Sequence, residues 1–174
     1  GPVYCSEATA ELCEILLPDS ARIHEEDARR ANRYGYTRHT PAVPLYTEED
    51  ANRALTHFKP VKFGQDYGLP GGQLSFRLNR AGHILGAASI IINDGQTSLA
   101  FSGDLGRLTD PVMEAPAQIQ EADYLVLEST YGDRLHEEGD PLDKLDDIIN
   151  RTARRGGKVI IPSFAVGRAQ LVLY

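Results

Sequence analysis

The chain is poor in three things that would fix its class at once: cysteine, positive charge and long apolar runs. Two cysteines occur in 174 residues, Cys5 and Cys13. They lie eight positions apart with no histidine or cysteine beside them, so they match no zinc-finger spacing. They read as reduced core residues of a cytoplasmic protein. The net charge is −7, so the chain lacks the basic balance that marks many nucleic-acid binders. That excludes a uniformly basic protein but not a local basic groove. No apolar run is long enough to cross a bilayer and no signal-peptide pattern is present, so no membrane association is expected. What remains is ordinary globular composition, 41% apolar and 25% charged. The length suits one domain, or one domain with part of a second.

"GPVYCS" predicts a short buried strand. "EATAELCEILLPDS" has helical spacing, with Ala8, Leu12, Ile15 and Leu16 on one face. Ser6 or Thr9 can cap its start, and Pro18 predicts its end. The charged stretch "HEEDARRANRYGYTRH" holds Arg29, Arg30, Arg33 and Arg38 with Tyr34 and Tyr36 between them. It reads either as a solvated helix and loop or as a surface for phosphates with tyrosines for base stacking. "TEEDANRALTHF" predicts a second helix, with Thr47 and Asp50 close to a capping box. From there to residue 128 the pattern is β: "LSFRLNRA", "ASIIIND", "TSLAFSGD" and "ADYLVLEST", with "NDGQ" as a hairpin turn. "YLVLE" predicts a strand covered on both faces. "DPLDKLDDIINRTARRGG" predicts an amphipathic helix with a glycine stop, "KVIIPSF" another buried strand, and "GRAQLVLY" the start of a helix. No internal repeat or low-complexity segment occurs. The fold class expected is α/β in the broad sense, an α+β sandwich with an α/β unit beginning near residue 128. The abrupt strand at the start and the helix just begun at the end predict a piece of a longer chain.

The chemistry-bearing residues sit between glycines or at strand ends. His83, in "AGHILGAASI", reads as a metal ligand or as a satisfied polar residue. Asp104, in "FSGDLGR", reads as a metal ligand beyond a strand end or as an Asx-turn. Glu128 ends an apolar run, where a carboxylate is costly to bury unless paired, so it reads as functional or as a capped, partly exposed glutamate. Ser163 and Arg168, in "IPSFAVGRAQ", could meet a phosphate at a helix start or form a simple turn. His136 could lie near Glu128. Asp123 and Asp133 read as surface turn residues, and His24, His39 and His57 as solvent-facing.

Four stretches taken together, "AGHILGAASI", "FSGDLGR", "LVLESTYGDRLH" and "GGKVIIPSFAVGRAQ", resemble the β-CASP nucleases. These are the RNA-processing branch of the metallo-β-lactamase superfamily and include the mRNA 3′-end cleavage endonuclease. "GPVYCSEATAEL" is similar to the segment after the family's first metal motif, and the charged stretch at 24–50 is closer to the prokaryotic members. The resemblance implies an αβ/βα sandwich with a two-zinc site. It implies that His83 is a ligand to one zinc and that Asp104 bridges both. It implies that Glu128 opens the β-CASP region and positions a later histidine near the leaving group. The activity implied is zinc-dependent hydrolysis of RNA phosphodiester bonds, in processing or decay. "EST" followed by "YG", where DNA-directed relatives tend to carry Asp-Thr-Thr, points to RNA.

The family's His-x-His-x-Asp-His motif is missing, because no two histidines stand two apart. Two ligands cannot hold a zinc pair that needs about three protein ligands per catalytic ion. The resemblance therefore implies that residues 1–128 are the later half of the lactamase-like domain and 129–174 the start of the β-CASP domain. The full-length parent is then a metal-dependent ribonuclease, and the isolated piece is inactive with weak zinc binding at most. Its sheet should need covering, by a second copy or by partner chains. Two competing readings are a non-catalytic paralogue serving as RNA-binding scaffold and a small-molecule hydrolase of the same superfamily.

Overall fold

The structure, a computed structural model, describes all residues except 136–138. The chain divides into two compact units, Gly1–Leu127 and Glu128–Tyr174. Helices and mixed sheets make it an α+β fold, as expected.

In the first unit, β1 (Val3–Ser6) leads directly into α1 (Glu7–Tyr34). Ser6 caps α1, its side-chain oxygen accepting from the Thr9 amide. Pro18 does not end this helix. It lies inside 28 helical residues, about 42 Å of helix. A proline interrupts one backbone bond and crowds the preceding turn. Here a seam of buried alanines, Ala10, Ala21, Ala28 and Ala31, continues past it, and α1 packs on α2 (Glu48–Leu55) and β2 (Phe58–Val61). Tertiary packing on both sides of Pro18 outweighs the local stop signal. Thr47 and Asp50 form the expected capping box at the start of α2.

β1 pairs in parallel with β2. A second sheet has the order β3 (Asp66–Gly68), β4 (Ser75–Arg80), β5 (Ala88–Asn93), β6 (Ser98–Phe101), β7 (Tyr124–Val126). All neighbours are antiparallel except β6 and β7, which are parallel. The "NDGQ" hairpin joins β5 to β6. The core joins the two sheets: Val61, Phe76 and Leu78 pack with Tyr4, Tyr67, Leu69, Ala88 and Ile92. The Phe76 ring lies between Tyr4, at 5.0 Å, and Tyr67, at 5.6 Å between centroids.

Two apolar runs differ from expectation. Tyr124, Leu125, Val126 and Leu127 are exposed rather than covered on both faces. β7 is an edge strand, and within the first unit the stretch has no layer packed against it. "KVIIPSF" forms no strand, and Ile160 is 87% exposed. A strand exists through its neighbour's hydrogen bonds, and no strand pairs with this stretch among the described residues. The second unit holds α3 (Pro141–Arg154), which Asp140 caps and Gly156 follows with a left-handed backbone, and α4 (Arg168–Leu173).

Asp123 does more than a surface turn residue. Its carboxylate accepts from the Ser98 amide at 2.7 Å and the Ser98 hydroxyl at 2.9 Å, locking the start of β7 to the start of β6. These bonds, the amide's first, hold its carboxyl below the usual carboxylate range. A depressed pKa gives stability that is complete above the unfolded-state value and lost as pH falls through the folded value. The acid limb of stability below about pH 4 should therefore flatten in Asp123→Asn. Denaturant midpoints followed from about pH 6 to about pH 2.5 check this. Parallel curves for the two proteins would show that the lock carries no charge-dependent stability.

Candidate metal centre

β4 and β6 run the same way on either side of β5, so both leave the sheet at the same end. Beyond those ends the chain makes two turns, 81–87 and 102–106. Gly82 and Leu105 meet in an antiparallel bridge, and the Gly106 amide donates to the Ala81 carbonyl at 2.8 Å. The approach is so close that a Cβ on Gly106 would stand 1.9 Å from the Gly82 oxygen. On its other side Gly82, with φ +69°, faces the backbone of Glu114 and Pro116. The glycines that bracket the candidate ligands are thus required by backbone-to-backbone packing.

This clasp brings together the two residues singled out as metal ligands. His83 Nε2 stands 4.0 Å from Asp104 Oδ2. Their side chains are 48% and 76% exposed, and among the described residues neither makes a hydrogen bond elsewhere. At 4.0 Å the two atoms are too far apart to satisfy one another. The two atoms border a common space, and an imidazole nitrogen with a carboxylate oxygen is a donor set that suits zinc. The pair therefore fits part of a zinc site. Among the described residues no group of three or more His, Cys, Asp or Glu side chains is gathered in a way that could hold an ion.

The remaining candidates are placed as follows. Glu128 is half-buried and accepts from the Thr130 hydroxyl at 2.8 Å, so its carboxylate is neither fully buried nor bare. His136 lies outside the described residues. Ser163 is exposed, with its hydroxyl 3.4 Å from the Ile161 carbonyl, and the Arg168 guanidinium donates to the Pro162 carbonyl at 3.2 Å. No bond joins these two side chains. His24 is half-buried against Tyr46, while His39 and His57 are exposed. Sequence reasoning did not anticipate that Asp123 fastens the strand that delivers Asp104. An Asp at a strand start opposite a Ser is too common a pattern to announce that.

No protein-family model matches the chain. Among curated proteins it is 35% identical to a ribonuclease of Thermus thermophilus over 100% of this chain and 36% of that protein. It is 34% identical to the transcription termination factor FttA of Methanocaldococcus jannaschii, over 98% of the chain and 26% of the relative. It is 29% identical to cleavage and polyadenylation specificity factor subunit 3-I of Arabidopsis thaliana, over 99% of the chain and 23% of the relative. The chain belongs to the β-CASP nucleases of the metallo-β-lactamase superfamily. It spans only about a third or less of the curated relatives it matches. The likeness covers both turns and all the motif stretches of this β-CASP chain.

Because Gly106 admits no side chain, Gly106→Ala should push the two turns apart. The expected loss of stability is about 3 kcal/mol, the range of overpacking a tight site. Gly95→Ala, at the open hairpin tip with φ +90°, meets no neighbour and should lose only about 1 kcal/mol. Denaturant unfolding of the two variants side by side tests the clasp. Equal losses would mean that the Gly82 contact is not what fixes Gly106, whose backbone lies outside the left-handed region.

Proposed function

We propose that this chain is part of a zinc-dependent ribonuclease that hydrolyses RNA phosphodiester bonds in RNA processing or decay. The observation that carries the reading is the His83–Asp104 pair, two exposed metal-ligating side chains brought to 4.0 Å from each other by a clasp of backbone. Similarity to a ribonuclease and to a cleavage factor supports it.

His83 would hold zinc through an imidazole nitrogen and Asp104 through its carboxylate. When bound, zinc would supply Lewis-acid chemistry for phosphodiester hydrolysis. The remaining ligands come from parts of the whole protein outside these 174 residues. Glu128, steadied by Thr130, orients a basic group beside the leaving oxygen. Ser163 and Arg168 contact RNA phosphate, since Arg168 spends only one of its donors on Pro162. The exposed apolar residues of β7 are covered by further chain or by a partner. The protein works in the cytoplasm, in keeping with its sparse, reduced cysteines. No helix among the described residues is long and apolar enough to cross a membrane.

The test uses the full-length protein. It should hold about two zinc ions and cut RNA. Asp104→Ala should lower cleavage on the order of a thousandfold or more while the fold is kept. Metal analysis and single-turnover cleavage of labelled RNA read both quantities. A full-length protein with no zinc and no cleavage is a scaffold, and this reading is then wrong.

A further inference from the structure

The turn that carries His83 is held at one end by the Gly82 bridge and at the other by hydroxyls from a different part of the chain. Gly86, with φ +85°, presents its carbonyl to the start of α1. Ser6 Oγ lies 2.8 Å from the Gly86 oxygen and Thr9 Oγ1 lies 3.1 Å from it. A carbonyl oxygen has two lone pairs and so has room for both hydroxyls, and the single Ser6 proton is shared between Gly86 and Thr9 Oγ1, 2.9 Å away, while the Thr9 proton goes to Gly86. Ser6 is 3% exposed, and its oxygen also accepts from the Thr9 amide at 3.1 Å. The fit is tight: a Cβ on Gly86 would stand 2.5 Å from Thr9 Oγ1 and 2.7 Å from the Thr9 nitrogen. Between the two anchors the turn closes on itself, with Ala81 donating to the Ala87 carbonyl at 2.9 Å and Ala87 donating to the Ile84 carbonyl at 3.0 Å.

We propose that Thr9, with Ser6, is a positioning residue for His83. The two hydroxyls pin the Gly86 carbonyl, which fixes the far end of the turn and so the direction from which the imidazole faces Asp104. The role of the helix cap and the role of the clamp separate at the side-chain level. Ser6 is needed for both, because its oxygen caps α1. The Thr9 hydroxyl takes no part in the cap's amide bond, which uses the Thr9 backbone amide; it donates to Gly86 and lies 2.9 Å from Ser6 Oγ, from which it can accept. A merely structural Thr9 would affect stability. A positioning Thr9 affects the ligand that the turn presents.

The proposal rests on the zinc reading above, and its test has one readout with zinc and one without. In the full-length protein, Thr9→Val keeps the shape and removes the hydroxyl, and Thr9→Ser restores it. Zinc affinity is measured by competition with a chromogenic chelator. Exchange of the Ala87 amide is followed by hydrogen–deuterium exchange on the metal-free protein. Thr9→Val should bind zinc about tenfold more weakly, as when a metal ligand loses its orienting partner. Its Ala87 amide should exchange several-fold faster, and Thr9→Ser should behave as the unaltered protein in both. If zinc binds and Thr9→Val holds it as tightly as the unaltered protein, the positioning role is overturned. If Thr9→Ser is as weak as Thr9→Val, the hydroxyl is not the agent and the proposal fails. If the unaltered protein binds no zinc, the zinc reading falls. Exchange at Ala87 then still decides whether the clamp holds the turn: an unchanged rate in Thr9→Val overturns it, and a faster one upholds it.

Discussion

Between Gly82 and Leu105 two stretches of backbone touch, with no side chain between Gly82 and the neighbouring Gly106. The candidate site depends on that approach. β4, β5 and β6 bring the exits of β4 and β6 to one end of the sheet, but they leave β5 between them. The chain after β6 must cross over the first residue of β5 to reach Gly82. Gly103 makes the crossing, with φ +58° and no room for a side chain above the Ala88 carbonyl, where a Cβ would stand 2.8 Å away. Three glycines thus do one job. They let main chain lie on main chain, so that the two residues following Gly82 and Gly103 end up facing each other.

A pair arranged in this way is useful because it is left incomplete. Buried polar groups are normally satisfied within the fold. No buried side-chain nitrogen or oxygen lacks a partner among the described residues. His83 and Asp104 escape that pressure by being exposed, so water can meet needs that the protein does not. The rigidity lies in the backbone beneath them. β6 is held antiparallel by β5 and parallel by β7, and Asp123 adds a second lock through Ser98. Exposed donors on a fixed frame give an ion access without the need to order the frame when it arrives.

Features written in local sequence were legible, and features written in distant contacts were not. The Thr47–Asp50 box and the "NDGQ" hairpin each lie within four residues, and the structure has both. The Pro18 stop is also local, but it lost to a seam of alanines that runs the length of α1. "YLVLE" and "KVIIPSF" were read from apolarity alone. Apolarity states what a segment could bury against and not whether these residues supply the other face. At the site, the glycines around His83 and Asp104 pointed to special turns. Nothing in either stretch said that the two turns touch, because a bridge between residues 82 and 105 is a fact of topology.

The same reasoning explains why neither residue type alone could settle its role. One histidine between glycines and one aspartate in a turn are each more common as bland structure. Their juxtaposition is the observation that supports the ligand reading. An Asx-turn aspartate has its carboxylate occupied by nearby amides, as Asp94 does with Gln96 and Thr97. A satisfied histidine donates or accepts within its surroundings. Asp104 does neither with its neighbours, and the imidazole opposite is too distant to be its partner. Two short polar side chains thus stand side by side on tight turns with no hydrogen bond between them. Two donors fall short of the three protein ligands found at catalytic zinc sites, so the pair alone would be only part of such a site.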